Sequence, residues 1–312
     1  MDDLTIAVVG IGATGSVLAA ALLADRPHTI LVEPRAEVRD ALAHDGLEVS
    51  GVVSYRVPVR RVAAGIPDLR DMSPDAVFVN TKTCSLPQVL DDLEGVFRPG
   101  MRIVSAQNGL GTEDLIAERF GPEAALRMSL NLGASIIGPG HVETTFFNRP
   151  NYLGAVADES REVGYWLAAA LSAGGLDTQY VGDVKPYVWK KMLIKCTMAS
   201  ICAVTDRTIK SALDLPPTRE IADACFQEFL AVAEAMGYPL GQETLAQGLA
   251  YLEKVGGHKD SMCYDIENKK PTEIDFLGGK VVEYARAKGV PIPFYTVMTD
   301  LVRALEDGYL RG

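Results

Sequence analysis

The sequence predicts an α/β domain followed by an all-helical domain. Strand-like and helical runs alternate in the first half of the chain, and the first of these units contains a glycine-rich turn. From residue 183 onward the pattern is helical almost throughout. Because a change from alternating elements to helices alone marks a domain boundary, we expect one domain at residues 1–182 and a second at residues 183–312.

The first strand, turn and helix contain the spacing G-x-G-x-x-G. The predicted strand Thr5–Val9 runs into Gly10-Ile11-Gly12-Ala13-Thr14-Gly15, and an apolar helical run follows to Leu23. In a dinucleotide-binding turn the first glycine allows the tight turn, the second lets the backbone approach a pyrophosphate, and the third lets the helix pack closely on the strand. The phosphates lie at the helix N-terminus, where free N–H groups favour negative charge. Residues 10–15 therefore predict a Rossmann-type dinucleotide-binding domain, with a glycine turn in an ordinary strand–helix unit as the alternative.

An acidic residue ends the second predicted strand. The strand His28–Val32 is followed by Glu33, 18 residues after Gly15. An acid at this position accepts hydrogen bonds from the adenosine ribose diol and repels a 2′-phosphate. We therefore predict that the cofactor is NAD in preference to NADP.

Composition excludes several classes of protein. The 312 residues carry a net charge of −11, which disfavours nucleic acid and anionic membranes as partners. The N-terminus lacks the basic region of a signal peptide, and no apolar run reaches the roughly 18 residues that span a bilayer. The five cysteines are scattered without a C-x-x-C spacing, so we expect reduced thiols, no metal site and a cytoplasmic location.

Short apolar runs closed by glycine, proline or polar residues predict the other elements of the first domain. In order, they are the helix Pro34–Ala43, the strands Leu47–Val49 and Tyr55–Val59, the strand Asp75–Asn80, the helix Leu86–Phe97, the strand Arg102–Ala106, the strands Gly133–Ile137, Val142–Phe147 and Tyr152–Ala155, the helix Arg161–Ala173 and the strand Thr178–Val181. Lys82 and Asn108 follow the carboxyl ends of two of these strands, the edge of a parallel sheet where ligands bind. Turn residues also occur at such places, so position alone leaves both interpretations open.

Longer periodic runs predict five helices in the second domain: Pro186–Ser200, Thr218–Ala235, Gln242–Tyr251, Glu273–Lys288 and Phe294–Leu305. In the first of them, Lys191 and Lys195 share an otherwise apolar face, where they repel one another by about a few tenths of a kcal/mol and resist burial. An anion beside them would remove this conflict, whereas lysines at the edge of an apolar face can also reach solvent. Glu273 follows Thr272, which with Asp275 suggests a capping box, so a purely structural role for Glu273 is the alternative to a catalytic one.

These motifs together resemble the ketopantoate reductase family over nearly the whole chain. The matching pieces, in the family's order, are GIGATG at 10–15, TK at 81–82, QNG at 107–109, GAS and PG within 133–140, WKK at 189–191, SMCYDIENKKPTEID at 261–275 and GVPIP at 289–293. The resemblance implies a Rossmann domain joined to a helical domain and a nicotinamide-dependent reduction of a 2-oxo acid to a D-2-hydroxy acid.

The resemblance also assigns roles to individual residues. It makes Lys191 the catalytic lysine and Glu273 the carboxylate of the family's TEID motif. In the expected mechanism Glu273 could orient Lys191. It makes Ser261 a substrate-binding residue, and it places Lys82, Asn108 and Ala134 on the cofactor side of the site. Asn108 could also hold the substrate oxygen.

The chain departs from the family pattern at three asparagine positions, which here are Lys195, Ala199 and Gly278. The first two asparagines help to hold ketopantoate in the family, so we expect a different 2-oxo acid. The pieces TMASICAVTD and EFLAVAEA look more like the NAD-dependent D-2-hydroxyacid dehydrogenases of the D-mandelate type. The alternatives are pantoate synthesis itself, an opine-type reductive condensation, and a dinucleotide-sensing protein without turnover.

Lys195 bears most directly on the substrate. If its ammonium meets the substrate, a 2-oxo acid with an additional anionic group, such as a dicarboxylate, is expected, because an unpaired buried charge is costly. If an acid of the helical domain such as Asp206 pairs with it, a bulky apolar or aromatic oxo acid would fit the space left at Ala199. We expect this small molecule as the main partner and allow for a homodimer.

Overall fold

The structure, a computed structural model, describes residues 4–311. Within these residues the strands are β1 (Ile6–Val9), β2 (Ile30–Val32), β3 (Leu47–Gly51), β4 (Tyr55–Val57), β5 (Arg61–Ala63), β6 (Ala76–Val79), β7 (Arg102–Ser105), β8 (Ala125–Ser129), β9 (Leu132–Gly138), β10 (His141–Phe147), β11 (Asn151–Ala155) and β12 (Thr178–Tyr180). The helices are α1 (Ala13–Asp25), α2 (Ala36–Asp45), α3 (Leu69–Met72), α4 (Leu86–Glu94), α5 (Thr112–Phe120), α6 (Arg161–Ala173), α7 (Lys185–Thr205), α8 (Ile209–Asp214), α9 (Pro216–Ala235), α10 (Gly241–Val255), α11 (Ser261–Glu267), α12 (Gly278–Lys288) and α13 (Pro293–Leu310).

The chain divides into two compact units. The first extends to Gln107 and resumes from Thr112 to Val184, and the second consists of Asn108–Gly111 and the chain from Lys185 onward. All strands lie in the first unit, and the second is built from α7 to α13. The predicted fold class, an α/β Rossmann-type domain followed by a helical one, is confirmed.

The first unit is organised around an eight-stranded sheet with the order β12-β11-β8-β7-β6-β1-β2-β5. The six strands from β8 to β5 run parallel, and β11 joins them antiparallel to β8. In this order β1 and β6 are neighbours, and the chain crosses from one side of the sheet to the other between them. The carboxyl ends of strands at such a switch point are where α/β sheets bind ligands.

A second sheet covers the helix that follows the glycine turn. It has four strands in the order β4-β3-β10-β9, with β3 antiparallel to β4 and parallel to β10. The residues of α1 from Gly15 to Leu23 are all buried, because this helix packs against α6 and against all four strands of the second sheet. The apolar composition of α1 on every face is thereby explained.

Several predicted elements need correction. The prediction missed β5, β8, α3, α5, α8 and α11, which are short or lack a clear period. The helix predicted over Glu273–Lys288 was wrong at its start, since a 3-10 turn occupies Ile274–Phe276 and α12 begins at Gly278. The carbonyl of Phe276 accepts a hydrogen bond from the Leu110 N–H, so it is not available to a helix continuing through this point. The expected capping box is also absent, because the Asp275 carboxylate pairs with Arg303 at 2.7 Å.

None of the helices within residues 4–311 has both the length and the apolar character needed for a membrane span.

A buried arginine stabilises the sheet edge from which the 107–111 loop departs. Arg127 on β8 and Glu113 on α5 are 1% and 3% exposed, and the Arg127 Nε lies 3.6 Å from a Glu113 carboxylate oxygen. Arg127 Nη1 also donates to Ser105 Oγ at 2.8 Å and to Thr112 Oγ1 at 2.5 Å. Ser105 ends β7 and Thr112 begins α5, so this network fixes both ends of the intervening loop.

We predict that Arg127→Met lowers stability by about 3–5 kcal/mol, because it leaves the Glu113 carboxylate buried without its charge partner. The double variant Arg127→Met, Glu113→Gln should recover most of this loss, since it removes the unpaired charge. Urea denaturation of the parent and both variants, followed by circular dichroism, measures the difference. Equal destabilisation in the single and double variants would show that packing, not charge, dominates at this position.

Candidate active site

The three glycines of the 10–15 turn differ in what surrounds them. Gly10 has a φ of +95°, and a Cβ on it would lie 2.7 Å from the Thr81 nitrogen. A Cβ on Gly15 would lie 2.0 Å from the Gly10 carbonyl oxygen, so this glycine lets α1 approach β1 closely. A Cβ on Gly12 would meet nothing within 4 Å. The turn is therefore closed at its two ends and open at Gly12, which fits the approach of a pyrophosphate to the backbone there.

The helix that follows presents its first turn without a side-chain cap. Gly12 is the N-cap of α1, and Ala13 and Thr14 begin the helix. Asn80, just past β6, contacts Thr14 Oγ1 at 2.9 Å. With its amide turned so that both ends are satisfied, Asn80 accepts from the Gly15 N–H and donates to the Ala106 carbonyl. Asn80 ends a predicted strand, and its role in holding the glycine turn was not predicted.

Glu33 lies directly after β2, as predicted, but its carboxylate already has a partner. It is 2% exposed and accepts hydrogen bonds from Arg35, from the Nε at 2.8 Å, the Nη2 at 2.8 Å and the backbone N–H at 2.9 Å. Arg35 Nη2 also donates to the Ile11 carbonyl of the glycine turn at 3.3 Å. The hydrogen bond with Glu33 raises the pKa of Arg35 above its ordinary value. Glu33 and Arg35 therefore form an ion pair beside the turn.

The other predicted cofactor contacts of the first unit lie at separate places. Lys82 is exposed just past β6, and its carbonyl and that of Thr81 accept hydrogen bonds from the Gln107 side chain at 3.4 and 3.0 Å. Ala134 lies on β9, in the second sheet, where it pairs with Thr144 of β10. Gln107, the first residue of the QNG motif, thus joins the ends of β6 and β7.

In the second unit, the predicted catalytic lysine meets the predicted asparagine. Lys191 lies on α7, and its Nζ donates a hydrogen bond to Asn108 Oδ1 at 2.7 Å. The two residues are 83 positions apart in the sequence. Their contact places an ammonium group, a proton donor, in a fixed direction.

The segment that carries Glu273 is tied to the same loop. Leu110 N–H donates to the Phe276 carbonyl at 2.9 Å, and a Cβ on Gly109 would lie 2.8 Å from that oxygen. Gly109 has a φ of +116°, a conformation that favours glycine. Glu273, three residues before Phe276, is 6% exposed. The Q-N-G motif therefore both supplies Asn108 and lets the Glu273 segment pack on its backbone.

Lys195, one turn beyond Lys191 on α7, has all three of its donor positions occupied. Its Nζ donates to the two carboxylate oxygens of Asp260 at 2.8 and 2.7 Å and to Ser261 Oγ at 2.9 Å. Burial lowers the pKa of Lys195, but the charge and hydrogen bonds of Asp260, with a further contribution from the charge of Glu273, outweigh it and raise the pKa above its ordinary value. Lys195 is therefore an ammonium paired inside the protein.

Of the two alternatives for Lys195, these contacts favour the pair with an internal acid. It pairs with an internal acid, but Asp206 was the wrong candidate, since that carboxylate contacts Lys259 at 2.6 Å. Asp260 was missed because only the packing of α11 on α7 brings it to Lys195. Its position before the serine of the SMCYDIE helix was the one available signal. Ala199 has no exposed surface, so the expected space at this position is not an open cavity.

The chain matches two family models. The description "Ketopantoate reductase PanE/ApbA" matches residues 6–158, and "Ketopantoate reductase PanE/ApbA C terminal" matches residues 183–306. A 2-dehydropantoate 2-reductase of Streptococcus pyogenes serotype M3 is 28% identical over 304 residues, which cover 96% of this chain and 97% of the relative.

Solved structures share the fold over nearly the full length. A D-mandelate dehydrogenase, solved with NADH and anilino(oxo)acetate, is 24% identical with a TM-score of 0.86, covering 98% of this chain and 100% of that one. A dimeric ketopantoate reductase from Staphylococcus aureus is 20% identical with a TM-score of 0.80 and the same coverage of both chains. The family models, which together span most of the sequence, decide the assignment. The chain belongs to the ketopantoate reductase family and is an NAD(P)-dependent oxidoreductase.

Proposed function

We propose that this enzyme reduces a 2-oxo acid to a D-2-hydroxy acid with NADH. The observation that carries the proposal is the hydrogen bond from Lys191 to Asn108, which fixes a proton donor next to the Glu273 segment. In the proposed division of labour, residues 1–182 bind the dinucleotide and residues 183–312 bind and protonate the substrate.

The groups of the helical unit match the needs of carbonyl reduction. The nicotinamide, when bound, supplies a hydride to the carbonyl carbon. The carbonyl oxygen then gains negative charge, and Lys191 stabilises that charge by a hydrogen bond and donates a proton to the oxygen. Asn108 accepts a hydrogen bond from one N–H of Lys191 and so fixes the direction of the ammonium group. Glu273 is buried close enough for its charge to act on Lys195, and that negative charge favours the protonated form of Lys195.

In the first unit, the proposed cofactor contacts are the open backbone at Gly12, the uncapped first turn of α1, and Glu33. Lys82 and Ala134 are retained as proposed contacts on the strength of the family resemblance. We propose that NADH is preferred to NADPH. The support is that Arg35, the nearest cation to Glu33, is engaged by that carboxylate at 2.8 Å, so a 2′-phosphate would have to compete with Glu33 for the guanidinium.

Five cysteines without disulfides, and a nicotinamide cofactor, support a cytoplasmic location.

We predict that Lys191→Ala lowers kcat by about two to four orders of magnitude, the range for loss of a general acid. NADH oxidation is measured with phenylglyoxylate, 2-oxoisovalerate, oxaloacetate, 2-oxoglutarate and ketopantoate. NADH binding is measured by fluorescence titration, and the affinity for NADH should change little. Lys190→Ala, which removes an exposed lysine one residue away, is the matched control and should keep full activity.

The same assay separates the competing functions. Ketopantoate as the best substrate would identify pantoate synthesis, and turnover that requires an added amino acid would identify an opine-type condensation. A protein that binds NADH and reduces none of the five acids would be a sensor. A Lys191→Ala variant as fast as the parent would refute the catalytic assignment.

For the cofactor, we predict that the parent has a higher kcat/KM with NADH than with NADPH. Glu33→Gln should raise the NADPH to NADH ratio of kcat/KM by about tenfold or more, the factor that corresponds to 1.4 kcal/mol, because it removes a negative charge near the ribose. Asp40→Asn, which removes the charge of another exposed acid on α2, should leave the ratio unchanged. A parent that prefers NADPH, and loses that preference in Arg35→Ala, would contradict the assignment to Glu33.

We also propose a homodimer. The Staphylococcus aureus relative is dimeric, and α13 carries the apolar residues Phe294, Val297, Leu301 and Leu305 at helical spacing, each more than 40% exposed. Light scattering should give twice the mass of one chain. Leu301→Glu should shift the protein towards the monomer, whereas Asp307→Asn, on the same helix, should not. A monomeric parent at all concentrations would refute this proposal.

A further inference from the structure

The contacts of Lys195 suggest a role that the family resemblance does not supply. The family has an asparagine at this position, and here a lysine stands with an acid, Asp260, as its partner. Both side chains are largely buried, 16% exposed for Lys195 and 8% for Asp260. An ammonium has three N–H donors, and Lys195 directs two to Asp260 and one to Ser261.

We propose that Asp260 is a positioning and specificity residue, which neutralises Lys195 so that the site accepts 2-oxo acids with a single carboxylate and rejects dicarboxylates. The proposal rests on the function proposed above, because it takes Lys191 and Ser261 as substrate contacts. It goes further in assigning the substrate class to an ion pair of this chain.

The charge balance beside Lys191 gives the first argument. Without Asp260, two ammonium groups would lie one helical turn apart, and a substrate with two carboxylates could neutralise both. With Asp260 in place, the Lys195 charge is already matched, and a second carboxylate would approach an acid that repels it. To bind, such a substrate would have to desolvate its second carboxylate without gaining a cationic partner for it. This cost discriminates against dicarboxylates.

The geometry of Ser261 gives the second argument. Its Oγ accepts a hydrogen bond from Lys195 at 2.9 Å, so its own O–H is directed away from that ammonium. Asp260 also accepts a hydrogen bond from the Met262 backbone N–H at 2.9 Å, as the N-cap of α11. Asp260 therefore fixes Ser261 in two ways, through the start of the helix that carries it and through Lys195. A hydroxyl held in this way can donate to the one carboxylate of a 2-oxo acid.

A role in helix capping alone is the competing explanation, and the choice of variant separates the two. Asparagine caps helices about as well as aspartate, so Asp260→Asn keeps the cap and removes the charge. If Asp260 only caps α11, the ranking of substrates stays the same. Asp206→Asn is the matched control, because Asp206 is an acid of the same unit that pairs with Lys259 and not with Lys195.

The experiment measures kcat and KM for phenylglyoxylate, 2-oxoisovalerate, oxaloacetate and 2-oxoglutarate in the parent, Asp260→Asn, Asp206→Asn and the double variant Asp260→Asn, Lys195→Asn. The parent should prefer the two monocarboxylates. In Asp260→Asn the ratio of kcat/KM for dicarboxylates to that for monocarboxylates should rise by about tenfold or more, mainly through KM. The double variant, with no charge at either position, should lose this gain, and Asp206→Asn should match the parent.

Three outcomes would overturn the proposal. They are a parent that already prefers dicarboxylates, an unchanged ratio in Asp260→Asn, and a double variant that keeps the gain. If Asp260→Asn does not fold, Lys195→Asn alone decides, because the unpaired Asp260 carboxylate should then lower the ratio below that of the parent, and an equal or higher ratio refutes the proposal. A parent that reduces neither these four acids nor ketopantoate would refute the proposed function, and with it this inference, whereas turnover with an unchanged ranking counts against Asp260 alone.

Discussion

Two ammonium groups lie one helical turn apart on α7, and the helical unit must supply a partner for each of them. Lys191 and Lys195 repel each other on a face that is otherwise buried, and neither could be placed there without compensation. The 107–111 loop brings Asn108 to Lys191, and the start of α11 brings Asp260 to Lys195. Glu273 adds a buried carboxylate close enough to act on Lys195. The packing of the loop, α11 and the Glu273 segment onto α7 therefore also assembles the proposed site.

The local parts of this structure could be predicted from the sequence because their causes are local. The glycine turn needs a positive φ at Gly10 and close packing at Gly15. The spacing of the motif predicts a glycine at both positions. The position of Glu33 directly after β2 could be predicted because the apolar run of that strand ends at Val32. The i and i+4 spacing of Lys191 and Lys195 places them on one face of a helix.

The parts that could not be predicted depend on contacts distant in sequence. Asp260 is 65 residues from Lys195, and its position before Ser261 is the one local feature that points to the pairing. The predicted start of α12 was also wrong because of a distant contact. The Phe276 carbonyl accepts a hydrogen bond from the N–H of Leu110, a residue far earlier in the chain. The Arg35 contact with Glu33 is local, yet it was not foreseen, since an arginine two residues after an acid can equally extend into solvent.

The ion pairs Glu33–Arg35 and Lys195–Asp260 share a physical logic. In each, a residue whose charge could select a ligand is neutralised by a neighbour, at 2.8 Å in the first and 2.7 Å in the second. A cation that is already paired with a carboxylate attracts an extra negative charge on the ligand only weakly. The carboxylate of the pair repels that extra charge. For the cofactor the extra charge is the 2′-phosphate of NADP, and for the substrate it is a second carboxylate. Selectivity at both positions would then come from rejecting the more highly charged ligand, a mode of discrimination that leaves the contacts to the accepted ligand unchanged.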